Sequence, residues 1–218
     1  MNESTIKVVG TGSIHVVPDV TRLQIRVRRV FNNYDEAYNC AKENSSWMVK
    51  ILEYNKLSGA LAKTISLDIS DNMVSQYKGS TYIGSKKEGY LLTQEIKVDL
   101  GIDNVLVNKV VRGVGKFIES AQINIGYTQR DPRPTQLKML ARAVKDAQEK
   151  ATIMAEAAGR ELGEVQSIEY DEKEIHIYSE AREIHSNAEA TASTANSLDI
   201  TPDDLAVSDN VHVVWRLK

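Results

Sequence analysis

The chain of 218 residues contains one cysteine, Cys40, so no internal disulfide, CxxC redox pair or cysteine-built zinc cluster can form within it. No run approaches the roughly 18 apolar residues of a membrane helix. The opening Met1-Asn2-Glu3-Ser4-Thr5 has neither a basic segment nor an apolar one, so the expectation is a cytoplasmic chain without a secretory leader. Neither sign of charge dominates: 27 Lys and Arg stand against 30 Asp and Glu, for a net charge of -3. That balance argues against a dedicated nucleic-acid binder, which carries a basic excess. The four histidines (His15, His176, His185 and His212) form no HxH, HExxH or HxxxH arrangement, and no GxSxG elbow is present. The expectation is therefore no catalytic, cofactor-binding or metal-binding residue.

What the chain does have is pattern. At 42% hydrophobic and 26% charged residues it has the composition of a globular protein. Its length fits one domain spanning residues 1–218, or two small ones sharing a core. Residues 6–10 and 20–30 read as strands; in the second, Leu23, Ile25 and Val27 alternate with Gln24, Arg26 and Arg28. A helix capped by Asn32 or Asn33 is predicted over 35–56, with Ala37, Cys40, Ala41, Asn44, Trp47, Met48, Ile51 and Leu52 on one stripe. Two strands over 63–78 and 88–100 read as a hairpin. A helix over 104–120, weakened by Gly113 and Gly115, leads into a strand over 122–128. Asp131-Pro132 opens the longest helix, predicted to 158 and ended by Gly159 or Gly163, with a stripe of Leu137, Leu140, Ala141, Val144, Ala147, Ala151, Met154, Ala155 and Ala158. A strand over 165–170, extended at 176–178, precedes a low-complexity segment at about 179–204, and the last strand covers 205–217. The elements do not alternate as βαβ units, so the fold class is α+β: an antiparallel sheet covered by helices.

Four features invite a chemical reading, and each has a plainer one. Gly10-Thr11-Gly12 leads into more strand rather than into a helix, so it reads as a bulge or tight turn and not a phosphate loop. Cys40 lies on the helix face shared with Ala37, Ala41 and Asn44, the place of a small buried hydrophobe. Arg22, Arg26, Arg28 and Arg29 near Phe31 are the only basic cluster beside an aromatic that the sequence displays. They fit a solvated or inter-subunit strand face, with Arg26 and Arg28 as the candidate interface residues. The acidic pairs Asp35-Glu36, Asp171-Glu172 and Asp203-Asp204 fall at turns and helix starts, where acids cap.

The landmarks, taken in order, resemble those of the SIMPL-domain family (domain of unknown function 541, YggE-like). They are Ile6 to Gly12 with Gly10 and Gly12, then Val17-Pro18-Asp19-Val20, Asn44, Gly89-Tyr90 and Val98-Asp99-Leu100. Ile123-Asn124-Ile125, Leu137-Ala141-Arg142-Ala143-Val144, Ala147-Lys150-Ala151, Ala155-Ala158-Gly159 and Leu162-Gly163 complete the set. The resemblance implies helices over an antiparallel sheet, and some members resembling this chain form large ring-shaped oligomers. It also implies a link to oxidative-stress protection without an agreed reaction. Many members are exported, a pattern this chain's start does not follow. The expected function is thus a non-enzymatic, self-assembling homo-oligomer, with no nucleic-acid partner and no cofactor. Its candidate contact surfaces are the Arg26/Arg28 strand face, the 78–89 turn and the 179–204 segment. The competing readings are a stress-related scavenger or enzyme using Cys40 or an unseen cofactor, and a small-molecule or peptide binding module.

Overall fold

A computed structural model describes residues 4–170, 183–185 (backbone) and 204–218. The elements in chain order are β1 (Thr5–Val16), β2 (Val20–Phe31), α1 (Tyr34–Tyr54), β3 (Ala62–Lys78), β4 (Thr81–Gly101), α2 (Asn104–Phe117), β5 (Ala121–Thr128), α3 (Arg133–Ala157), β6 (Leu162–Glu169), β7 (Glu183–His185) and β8 (Leu205–Leu217). The α+β class holds, but the expected sheet is two sheets, and the described residues divide into two compact units. The second unit is inserted in the sequence of the first, mainly between β1 and α3, with β7 added from between β6 and β8. Pro18 and Asp19 therefore lie on the connection from one sheet to the other. The expected extension at 176–178 and most of the 179–204 segment lie outside the described residues.

The first unit is a three-stranded antiparallel sheet in the order β1-β8-β6, packed against α3. The two ends of the chain pair without a break, from Thr5 opposite Arg216 to Val16 opposite Leu205. Alternation puts Val8, Gly10, Gly12 and Val16 on one face, opposite Val213, Val211, Asp209 and Leu205. No bulge or turn interrupts β1 at Gly10-Thr11-Gly12, contrary to expectation. Instead α3 lies directly on the glycines. A β-carbon on Gly10 would collide with the Ala143 carbonyl oxygen, and one on Gly12 with the Met139 carbonyl oxygen. The buried stripe of α3 is accordingly Met139, Ala143, Ala147, Ala151 and Ala155. Leu137, Ala141, Met154 and Ala158 of the expected stripe are exposed, because close approach favours the row of small residues over the most apolar one. The helix starts one residue later than expected, with Asp131 Oδ1 accepting from the Arg133 amide at 3.1 Å. It ends at Gly159, which adopts φ 67° and lets the Arg160 amide reach back to the Ala155 carbonyl. Gly163 sits against the Arg216 carbonyl, 2.7 Å from where a β-carbon would be, and Leu162 pairs with Leu217.

The second unit is an antiparallel sheet in the order β3-β4-β2-β5-β7, with α1 and α2 on one face. Leu23, Ile25, Val27, Ile96, Val98 and Leu100 meet Met48, Ile51, Leu52, Val107, Val110 and Val114 in one buried cluster. Asn33 caps α1 by accepting from the Glu36 amide at 2.8 Å, and Asp103 caps α2 by accepting from Leu106 at 3.0 Å. Gly113 does more than weaken α2. A β-carbon there would stand 2.8 Å from the Ile51 side chain, so the glycine sets how closely α1 and α2 approach. One polar network is sealed inside: Asn44 Nδ2 donates to Gln94 Oε1 at 3.1 Å, and Gln94 Nε2 donates to Ala41 O at 3.1 Å and Ser45 Oγ at 3.0 Å. Gly89, with φ 89°, lets β4 pass the Phe31 carbonyl, and the Tyr90 that follows pairs with Phe31.

Candidate functional site

Each sheet ends in two edge strands, which offer unpaired backbone groups to any other strand. The first unit manages its edges. Along β1, α3 lays three side chains one turn apart over the open edge. Arg142 Nη1 donates to Ser13 O at 2.9 Å, Asp146 Oδ2 accepts from the Thr11 amide at 2.7 Å, and Lys150 Nζ donates to Val9 O at 3.4 Å. Lys150 also pairs with Asp146 at 2.6 Å; that bond, with the one from Thr11, holds the Asp146 carboxyl below the usual carboxylate range. Arg142 thus has a clear local task, whereas the adjacent Ala141 is exposed. The opposite edge, β6, has only eight residues and carries register shifts, both of which discourage pairing.

In the second unit β7 is three residues long, but β3 is an edge of 17. Among the described residues no side chain bonds to its open edge. Past the end of β2, whose pairing with β4 stops at Tyr90, β3 and β4 run on as a two-stranded ribbon from Met73 opposite Lys87 to Lys78 opposite Thr81. At about 3.3 Å per residue the ribbon is roughly 20 Å long. It is apolar for an exposed structure: Met73 is 54% exposed, Tyr77 63%, Tyr82 56% and Ile83 59%. Tyr77 and Tyr82 lie opposite one another with ring centroids 5.8 Å apart. At the ribbon's base Lys87 bonds Asp71 at 2.7 Å and covers the Tyr90 ring at 3.8 Å.

The arginine face of β2 is more paired than its sequence suggests. Arg22 makes a two-pronged bond to Asp99 at 2.8 and 2.9 Å. Burial works against the Asp99 charge, but the Arg22 bonds, with Lys97 and Lys63 nearby, outweigh it and hold the carboxyl below its usual range. Arg26 reaches Glu95 at 3.6 Å, while Arg28 is exposed and makes no ion pair among the described residues. Arg29 bridges Glu119 at 2.9 Å and covers the Phe31 ring at 5.0 Å.

The same Arg29 approaches Cys40, its Nη1 lying 3.8 Å from Sγ. Cys40 is half-buried rather than fully buried, beside Phe31 and Ile69. Burial pushes its thiol above the ordinary range, and the Arg29 charge only partly offsets that. At neutral pH a raised thiol holds less thiolate, the reactive form. Labelling of native protein with a disulfide reagent at neutral pH should therefore run at least about tenfold slower than labelling of denatured protein. Equal rates would revive the scavenger reading.

His15 and His212 lie exposed on strand faces, and among the described residues no three His, Cys, Asp or Glu side chains gather as a metal set. No helix among the described residues is long and apolar enough to cross a membrane.

One grouping is completed only by the fold. A groove of about 900 Å³ runs between α1 and α2, and five cations surround it: Lys50, Lys56, Lys109, Arg112 and Lys116. All five are exposed, none makes an ion pair among the described residues, and no carboxylate lines the groove. Trp47 and Phe117 stack in its wall, with centroids 4.6 Å apart and planes within 10°. Lys50 covers Trp47 at 4.6 Å and Lys116 covers Phe117 at 5.2 Å. The Arg22–Arg29 cluster is thus not the only basic cluster beside aromatics. Lys109, Arg112 and Lys116 share one stripe of α2, but Lys50 lies on α1 and Lys56 just past its end, and the hairpin between the two helices hides the grouping in the sequence.

Comparison with curated proteins finds no match. The sequence profile of the SIMPL family, described as proteins of unknown function (DUF541), matches residues 6–215, almost the whole chain. The chain belongs to the SIMPL family.

Proposed function

We propose that this is a non-enzymatic, self-assembling protein whose contact surface is the open β3 edge and the ribbon that prolongs it, docked on a second copy of the chain. The observation that carries this is the contrast between edges. β1 is covered by a row of α3 side chains, whereas β3 is long, uncovered among the described residues and continuous with exposed Met73, Tyr77, Tyr82 and Ile83. A two-stranded ribbon is at best marginally stable in water, and a second copy would supply both strand pairing and apolar cover. If the contact is head-to-tail and its rotation closes, it generates the ring seen among the members this chain resembles. Any part in oxidative-stress protection then belongs to the assembly and not to a reactive thiol.

Replacing Tyr77, Tyr82 and Ile83 together with serine should lower the mass seen by sedimentation velocity to that of one 24.3 kDa chain, with the melting of both units kept. An unchanged mass overturns the ribbon contact. In the parallel variant Arg26→Glu/Arg28→Glu, a loss of mass with the serine variant intact would place the contact on the arginine face of β2 instead.

A further inference from the structure

We propose that the groove between α1 and α2 is a docking site for an acidic amphipathic helix of a partner protein. The chemistry of the walls selects the charge. In a chain with a net charge of -3, five cations without an ion pair among the described residues surround one groove, and no described carboxylate lines it. Unpaired like charges repel one another, and an anionic partner relieves that repulsion while steering encounter.

The floor selects an amphipathic ligand rather than a simple anion. Ile51 is buried beneath Gly113, where the helices close up, and Leu106 and the Trp47–Phe117 pair add apolar wall. A free phosphate would use the cations and leave that floor wet. The groove's shape selects a helix over a strand. Both walls are helices and no strand residue lines it, the setting in which an amphipathic helix lays its row of apolar side chains.

The same details disfavour two other anions. Single-stranded nucleic acid binds by stacking bases on free aromatic faces. Here Trp47 and Phe117 are stacked on each other and covered by Lys50 and Lys116. A lipid surface needs a flat or convex face, whereas these cations rim a cleft. Tyr54, 89% exposed at the end of α1, is the most open ring of the groove.

The test uses the full chain and a labelled synthetic peptide of about four helical turns, leucine on one face and glutamate on the other, read by fluorescence anisotropy. Binding should be saturable and weaken with salt. Lys109→Glu/Arg112→Glu, and separately Lys50→Glu/Lys116→Glu, should each weaken it at least about tenfold while leaving melting unchanged. A peptide of identical composition with its leucines scattered should also bind about tenfold more weakly. No binding, or equal binding of the scattered peptide, overturns the proposal. So does tighter binding of oligothymidylate or phosphatidylserine vesicles than of the peptide. A fall in solution mass in either charge-reversal variant would show that a second copy occupies the groove, and would likewise overturn it.

Discussion

Replacing Gly10 with valine should destabilise the three-stranded unit by about 3 kcal/mol or more. Overpacking is often relieved by a side chain swinging aside, but the atoms facing Gly10 are the backbone carbonyl of Ala143 and the amide and β-carbon of Ala147, none of which can rotate away. The helix would have to lift from the sheet. That would withdraw Ala143, Ala147 and Ala151 from Val211, Val213 and Trp215 and pull the row of bonds off the β1 edge. The chain carries its own reporters, because of its two tryptophans Trp215 belongs to this core and Trp47 packs on that of the other unit. In a Trp47→Phe background, Gly10→Val should shift Trp215 emission to the red and lower its denaturation midpoint, whereas His15→Val, at an exposed position of the same strand, should do neither. A Gly10→Val protein that melts like its parent would refute the close contact between α3 and β1.

Gln94 should prove nearly as sensitive. It is 1% exposed and uses both ends of its amide, accepting from Asn44 and donating to Ala41 O and Ser45 Oγ across the gap between β4 and α1. Truncation to alanine removes three bonds and leaves the Asn44 amide only its weak contact with Cys40 Sγ at 3.7 Å, a loss of about 2–4 kcal/mol. Replacing both partners with leucine leaves no orphaned polar group between the two positions and restores part of the apolar packing. The double variant Asn44→Leu/Gln94→Leu should therefore be more stable than the sum of the single losses by about 1–3 kcal/mol, read from urea midpoints. Simple additivity would mean that the network contributes no more than its individual packing areas.

The elements that were legible from the sequence are those whose signals are local. The alternation of β2 and β4, the stripe of α1 from Ala37 to Leu52 and the glycine at 159 each declare themselves within a few turns of chain. Gly10 and Gly12 could not be read this way. Their reason is α3, reached through contacts such as Thr11 to Asp146, 135 residues apart, so a pair of glycines in a strand looked like a turn. The stripe of α3 was misread at Leu137, Ala141, Met154 and Ala158 for the same cause: against a glycine strand the helix presents small residues, not its most hydrophobic ones. Asn44 was visible as a landmark, but its role depended on Gln94, which on its own reads as one more residue of an alternating strand. The groove cations are spread over positions 50 to 116, so only folding gathers them. The proposed contact surface was half visible. The 78–89 turn reads as a turn, whereas the proposal rests on the strand edge it prolongs, and that depends on which strand lies outermost in the sheet.

Self-assembly is the claim on which the rest of the functional reading depends, and the absolute mass in solution tests it directly. Light scattering on a sizing column, run at two protein concentrations, should give one species of several times the 24.3 kDa chain mass, the same at both. A clean 24.3 kDa monomer at both concentrations would contradict the account, leaving the β3 edge and its ribbon exposed in solution without the partner they are proposed to meet.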